Sequence, residues 1–124
     1  MADLTIKRED EFEASFGGSF VLVRHGLDVK SFGIQLIKLP PNADQYPEHD
    51  HAADGQEEVY TLLEGAATLT VGGEEHALEP GVFARVGPSE TRQITTTDSA
   101  AKLLVIGGVP GVAYEVSPYS VPTS

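Results

Sequence analysis

The sequence contains no cysteine among its 124 residues. Disulfide bonds, thiolate nucleophiles and zinc sites built on sulfur ligands are therefore excluded. Positive charge is also scarce, because 8 Lys and Arg residues stand against 19 Asp and Glu residues and give a formal net charge of −11. Such a surface repels phosphate backbones and anionic lipid headgroups, so we expect neither nucleic acid nor a membrane as a partner.

Long apolar runs are missing as well. No segment reaches the roughly 18–20 consecutive apolar residues that a membrane-spanning helix needs. Residues 1–18 are too charged for a signal peptide. We therefore expect a cytoplasmic protein. Because 40% of the 124 residues are hydrophobic, the chain can form one domain around a single core.

Short apolar segments rich in β-branched residues follow one another along the middle of the chain. They are SFVLVRH (19–25), FGIQLIKL (32–39), EEVYTLL (57–63), AATLTV (66–71), VFARV (82–86), RQITTT (92–97) and KLLVIGGV (102–109). Turn signals separate them, and Gly72-Gly73 predicts a hairpin between 66–71 and 74–78. Helical periodicity is not sustained over ten residues anywhere between 19 and 107. The pattern indicates an all-β sandwich or barrel.

The same pattern divides the chain into three parts. We expect an N-terminal arm (1–18), a β-barrel (19–110) and a C-terminal tail (111–124). The end of the chain is rich in proline, which favours an irregular segment that covers an edge strand.

The strongest chemical signal lies in YPEHDHAADGQEEVYTLLEG (46–65). His49 and His51 are separated by one residue, so in a strand both imidazoles project from one face. Glu58 follows after a loop and can supply a carboxylate. Two imidazoles and a carboxylate suit iron, manganese, nickel, zinc or copper, and they form the facial triad of non-haem iron enzymes. A histidine pair alone is more often simply solvated, but the carboxylate at the head of a strand favours a metal site.

This segment resembles the first motif of the cupin superfamily, which reads His-x-His, then a glutamate, six residues and a glycine. His49 and His51 match the histidines of that motif. Glu58 and Gly65 match its glutamate and glycine, which selects Glu58 over Glu57 as the inward carboxylate.

LEPGVFARVGPSETRQI (78–94) resembles the second cupin motif, which ends on a histidine ligand. Here Arg92 occupies the position of that histidine, so the usual fourth ligand is missing. The two motifs imply an all-β fold, a double-stranded β-helix or cupin-like jelly-roll barrel, over about residues 33–107. Small single-domain cupins commonly pair, and the apolar strand from Leu103 to Val109 needs cover, so we expect a homodimer.

Three arrangements of the site stay open at this point. A metal held by His49, His51 and Glu58 could be completed by water or by Gln56. Alternatively, Arg92 pairs with Glu58 in a metal-free pocket, because a guanidinium repels a divalent ion and binds a carboxylate well. In the third arrangement, Arg92 binds the carboxylate of an acidic substrate beside the metal.

Other side chains carry weaker signals. Tyr60 lies two residues after the predicted carboxylate ligand and is expected to face the interior, as core or as a donor to a bound ligand. Phe83 and Ile94 are predicted to be core residues. His25 and His76 are predicted to lie at the surface.

The resemblance implies a barrel that binds a small molecule, with a divalent transition metal as cofactor. For an enzyme, it implies oxygenase or isomerase chemistry on a small acidic or sugar-like compound. The alternative is a non-catalytic, metal-free binding module in which Arg92 pairs with Glu58 or binds an anion. No catalytic residue is identified, and a fold alone does not fix an activity.

Overall fold

The computed structural model describes residues 2–122. In this range the strands are β1 (Ala14–Ser15), β2 (Phe20–Val21), β3 (Gly33–Leu39), β4 (Glu57–Gly65), β5 (Ala67–Val71), β6 (Glu74–Leu78), β7 (Phe83–Val86), β8 (Arg92–Thr95) and β9 (Ala101–Gly108). One short helix, α1 (Val23–Leu27), and 3₁₀ turns at Glu9–Glu11, Phe16–Gly18 and Pro118–Ser120 complete them. No helix in the described part of the chain is long and apolar enough to cross a membrane.

The strands form two antiparallel sheets. The larger has the order β1-β2-β3-β9-β4-β7 and the smaller the order β6-β5-β8. Gly72 and Gly73 have φ of 57° and 84° and join β5 to β6, which confirms the predicted hairpin. Apolar side chains from both sheets meet in one core, so the expected all-β jelly-roll architecture is confirmed.

The segment 19–25 does not form the single strand that its composition predicts. Only Phe20–Val21 pair with β3, and the chain then turns into α1. A short apolar run has no periodicity that separates a strand from a buried helix. Here the helix lets Val23 pack with Val21 and Leu36 in a second apolar cluster on the outer side of the large sheet.

Strand alternation decides which of the predicted core residues are buried. Ile94 is fully buried, as predicted. Phe83 was predicted to be core, but it is 73% exposed and that prediction is wrong. In β7, Val86 pairs with Glu58 on the inner face, so Phe83, an odd number of residues away, projects outward.

The apolar strand β9 lies between β3 and β4, in the middle of the large sheet. The argument that Leu103–Val109 leaves an apolar edge open is therefore wrong, and the homodimer stays a prediction. Leu103 is fully buried and Val105 nearly so, on the face that closes the core.

The inner face of the large sheet is built of cross-strand rows. One row runs Gly33, Gly107, Glu58, and the next runs Gln35, Val105, Tyr60. Beyond these rows the interior becomes apolar towards Leu62 and Leu103. The end of the barrel at Glu58, called the site end below, is therefore polar, and the opposite end is closed by apolar side chains.

Candidate metal centre

Three side chains of the first motif come together at the site end. Glu58 is the second residue of β4, whereas His49 and His51 lie in the irregular segment before it. His49 is fixed by an antiparallel bridge to Arg92, with N–H···O distances of 3.0 and 2.8 Å, and His51 N donates to Pro88 O at 2.8 Å. One nitrogen of each imidazole and one carboxylate oxygen of Glu58 all lie within 4.8 Å of one another.

Both imidazoles are oriented by their Nδ1 atoms. His49 Nδ1 lies 3.0 Å from Pro47 O, and His51 Nδ1 lies 3.1 Å from Asp54 Oδ2. Since these partners only accept hydrogen bonds, each Nδ1 carries the proton and each Nε2 is left to face Glu58. The Nε2 atoms of His49 and His51 lie 3.9 and 3.3 Å from Glu58 Oε1.

His51 Nε2 is the unusual atom of this cluster. It is buried and makes no hydrogen bond of acceptable geometry with any described residue, despite its short distance to Glu58. Interaction with the Glu58 carboxylate raises the pKa of His51, against the opposing effect of burial. A neutral Nε2 would point its lone pair at a carboxylate oxygen, so this position favours a proton or a metal ion between the two groups.

Glu58 is 8% exposed and its two oxygens have different partners. Oε1 accepts hydrogen bonds from Arg92 Nη1 and from Tyr60 OH, both at 2.7 Å. Oε2 accepts one from Gln56 Nε2 at 3.3 Å. Glu58, rather than Glu57, is thus the inward carboxylate, as the first motif implied, and Glu57 pairs on the outside with Arg85.

Burial by itself raises the pKa of Glu58, but the neighbouring imidazoles of His49 and His51 and the hydrogen bond from Tyr60 outweigh it and hold that pKa well below its usual range. The carboxylate is therefore ionised at neutral pH. It is ready to act as an anionic ligand without first losing a proton.

Arg92 is fully buried. Besides Glu58, its guanidinium donates to the backbone oxygens of Gly87 and Glu90. Of the roles that the sequence left open for Arg92, the structure shows the ion pair with Glu58. A guanidinium without exposed surface does not present a face to a substrate anion.

Tyr60 is fully buried and faces the interior, as predicted. Its hydroxyl donates to Glu58, and Tyr46 OH lies 3.4 Å from it. Burial raises the pKa of both phenols, and the neighbouring Glu58 carboxylate raises them further. Both tyrosines therefore stay protonated and act as hydrogen-bonding groups around the carboxylate.

Other predicted residues lie away from the cluster. His25 is in α1, with Nε2 3.7 Å from Glu13 Oε2, and His76 is exposed on β6. Asp54, which orients His51, was not singled out in the sequence. Its position three residues after a candidate ligand is the signal that would have identified it.

The rim of the site is acidic. The loops that carry the cluster expose four carboxylates: Glu48, Asp50, Asp54 and Glu90. In segments 46–58 and 87–92, Arg92 is the only Lys or Arg. A ligand approaching the site end therefore meets negative charge and no accessible cationic side chain from these loops.

Two neighbours among solved structures resemble most of the chain. A cupin protein from Bacteroides fragilis is 24% identical with a TM-score of 0.69, and the alignment covers 90% of this chain and 94% of that one. A sugar phosphate isomerase from a cupin superfamily of Silicibacter pomeroyi is 25% identical with a TM-score of 0.66, covering 79% and 71%.

A third neighbour is a putative sugar phosphate isomerase from Acidithiobacillus ferrooxidans, 25% identical with a TM-score of 0.56, covering 71% of this chain and 58% of that one. No curated protein matches the sequence significantly. The family model described as Cupin domain (Cupin_2) matches residues 35–107, more than half of the chain. On this match and the geometry of the barrel, the protein belongs to the cupin family.

Proposed function

We propose that this protein is a small-molecule-binding barrel in which His49, His51 and Glu58 hold one divalent first-row transition metal ion. The donor set fits such an ion, since two imidazole nitrogens and a carboxylate oxygen suit iron, manganese, nickel, zinc or copper. These three groups do not identify the metal among them.

One observation carries this proposal: both imidazoles are held by Nδ1 so that both Nε2 atoms face one ionised carboxylate. Metal-binding histidines typically donate the other ring N–H to a carboxylate or a backbone carbonyl, which fixes the ring and raises its basicity. Pro47 O and Asp54 supply those two acceptors here. The buried Nε2 of His51, which lacks a hydrogen bond within the described residues, is the atom that a metal ion would satisfy.

For an enzyme, we propose isomerase chemistry on a small hydroxylated compound, with oxygenase chemistry as the other class that such a ligand set serves. Two of the neighbours, each 25% identical, are a sugar phosphate isomerase and a putative sugar phosphate isomerase, which supports isomerase chemistry as the reaction class. A bound metal would supply Lewis acidity there. The chain itself contributes the fixed carboxylate of Glu58, the hydrogen bond that Tyr60 donates to it, and apolar side chains that close the opposite end of the barrel.

The metal proposal is tested by elemental analysis of protein purified without chelator and then reconstituted with each of the five metals. We expect close to one ion per chain, and its loss in both His49→Ala and His51→Ala. His76→Ala is the matched control, because His76 is an exposed histidine on β6 that does not belong to the cluster. Absence of stoichiometric metal after reconstitution, in protein that remains folded, would contradict the proposal.

A second candidate function is a metal-free binding module, and the buried ion pair between Arg92 and Glu58 is the observation that favours it. Arg92 already compensates the charge of the carboxylate, so the site is electrically balanced without a metal. Under this alternative the wild-type protein takes up no metal, and His51→Ala leaves ligand binding unchanged. The same elemental analysis therefore decides between the two candidates.

A further inference from the structure

Two glycines face the interior beside Glu58. Gly33, Gly107 and Glu58 form one inner row, so on one side of Glu58 the neighbouring strand β9 and the strand beyond it, β3, carry no side chain at that level. Neighbouring strands lie about 4.8 Å apart, so this bare stretch of sheet spans about 10 Å from Glu58 to Gly33. The sheet therefore leaves room at the site end next to the three-residue cluster.

Polar groups from outside the sheet enter that room. The amide of Gln56 lies 2.9 Å from where a Cβ on Gly107 would be, and the hydroxyl of Tyr114 lies 2.9 Å from where one on Gly33 would be. Any side chain at either glycine would displace these groups. The C-terminal tail thus brings the phenol of Tyr114 to the site end, on the inner side of β3.

Gln35 borders the same space on the side of the barrel interior. It belongs to the next inner row, beside Val105 and Tyr60, and it is only 7% exposed. Its Oε1 is buried and has no hydrogen-bond partner among residues 2–122. Leaving a buried polar group without a partner is unfavourable, so this amide oxygen is suited to accept a hydrogen bond from a group outside residues 2–122, such as a bound ligand.

We propose that Gln35, Gln56 and Tyr114 form a hydrogen-bonding subsite for the hydroxyl groups of an uncharged polyol or sugar, next to the metal cluster. The proposal rests on the proposed function for the position of the subsite beside that cluster, and it adds the class of ligand. Amides and a phenol each offer both a donor and an acceptor, and a hydroxyl group is the ligand function that both donates and accepts.

The charges around the site argue against an acidic ligand. The rim exposes Glu48, Asp50, Asp54 and Glu90, and the guanidinium of Arg92 is buried against Glu58. A carboxylate or phosphate only accepts hydrogen bonds, is repelled by the carboxylates of the rim, and finds no accessible Lys or Arg in the loops there. An uncharged hydroxylated molecule meets neither difficulty.

The subsite is tested by NMR titration of the full-length protein, loaded with Zn²⁺ as a diamagnetic probe, with glycerol, erythritol and xylitol. D-Xylonate serves as the charged counterpart of xylitol. The side-chain amide signals of Gln35, assigned by their loss in Gln35→Met, report on the site directly. The same titrations are repeated with Gln35→Met, Tyr114→Phe and the control Gln45→Met, whose glutamine is exposed at the opposite end of the barrel.

We expect at least one neutral polyol to shift the Gln35 amide signals and to bind more tightly than xylonate. Loss of one neutral hydrogen bond predicts a Kd that is about three- to tenfold weaker in Gln35→Met, and a smaller weakening in Tyr114→Phe. Gln45→Met should bind like the wild type. Metal content should be unchanged in all three variants.

Three outcomes would overturn the subsite. No neutral polyol binds the metal-loaded protein, or the polyol affinity is the same in Gln35→Met, or the Gln35 amide shows contact with a buried water only and no probe displaces it. These failures are distinct from failure of the metal proposal. If no metal binds, the titrations of the metal-free protein still report on Gln35. If metal binds and no polyol does, only the subsite is wrong.

Discussion

Arg92 Nη1 lies 2.7 Å from Glu58 Oε1, in an ion pair whose arginine is fully buried. The backbone of Arg92 bridges His49, and its guanidinium donates to Gly87 O, in the loop whose Pro88 carbonyl accepts from His51 N. Arg92, at the place of a fourth ligand, therefore positions the three candidate ligands His49, His51 and Glu58. Its fixed positive charge also opposes a second cation at the same carboxylate.

Replacing Arg92 by methionine should lower the stability of the metal-free protein and raise its affinity for metal. Breaking a buried ion pair by removing one partner leaves an uncompensated charge and typically costs about 3–5 kcal/mol. A metal ion can then compensate Glu58, so the loss should be partly recovered when Zn²⁺ is added. Urea unfolding with and without Zn²⁺ measures both effects.

Arg85→Met is the control for that experiment. Arg85 pairs with Glu57 at 3.2 Å, but its side chain is 62% exposed, so the loss should stay below about 1 kcal/mol. Equal losses in the two variants, or no effect of Zn²⁺ on Arg92→Met, would show that the buried pair does not control the site.

Tyr60→Phe should remove a charge-assisted hydrogen bond to Glu58 without changing the shape of the core. Such bonds contribute about 1.5–3 kcal/mol, and that is the expected loss in urea unfolding at neutral pH. Tyr46→Phe should cost less, because Tyr46 OH is 3.4 Å from Tyr60 OH. A larger loss in Tyr46→Phe would contradict the assignment of Tyr60 as the donor that supports the carboxylate.

Gly65→Ala should be strongly destabilising. Gly65 has a φ of 84°, and a Cβ there would collide with the carbonyl oxygen of Ala100. Gly73 has the same φ of 84°, but apart from its chain neighbours no atom of residues 2–122 lies within 4 Å of the corresponding position, so Gly73→Ala isolates the backbone strain alone. We expect about 1–3 kcal/mol for Gly73→Ala and a clearly larger loss for Gly65→Ala in thermal or urea unfolding. Equal losses would mean that the close approach to Ala100 is unimportant.

The contacts between the N-terminal segment and the large sheet should contribute less to stability at acidic pH. Hydrogen bonds from Lys102 and Lys38 hold the pKa of Glu9 below its ordinary value of 4.5. Because the pKa of Glu9 is lower in the folded protein, the ionised carboxylate stabilises the fold at pH values above its ordinary pKa. This stabilisation is lost as the pH falls through the lowered pKa. Glu9→Gln should therefore be less stable than wild type at neutral pH, by less than about 1 kcal/mol, and the difference should vanish on acidification. Asp10→Asn is the control, and urea unfolding as a function of pH is the measurement.

The homodimer is predicted to use the outer face of the large sheet, where Phe83 is 73% and Ile106 36% exposed. Phe83→Glu should then yield a monomer in sedimentation velocity, since a charge would be buried in the contact. Phe16→Glu is the control, because Phe16 is 65% exposed away from this face. A wild-type protein that sediments as a monomer at all accessible concentrations would contradict the prediction.

Local sequence accounts for much of the fold and for the three residues of the candidate site. The Gly-Gly turn requires positive φ at both positions, which only glycine adopts freely, and the hairpin follows from it. The glutamate to glycine spacing of the first motif correctly placed Glu58 inside and Glu57 outside. These features depend on a few consecutive residues, so a single sequence is enough to read them.

Tertiary structure decided the rest, because it depends on which segments lie side by side. The inward or outward position of Phe83 follows from its register against β4, and the interior place of β9 follows from pairing with strands far away in sequence. The second motif offered the pairing of Arg92 with Glu58 as one of three arrangements, and the tertiary structure shows that ion pair. No local pattern shows that the amide of Gln35 and the phenol of Tyr114 reach the same end of the barrel. The sequence alone determined the chemistry of the donor atoms. Long-range packing decided that Arg92 lies against Glu58 and compensates its negative charge.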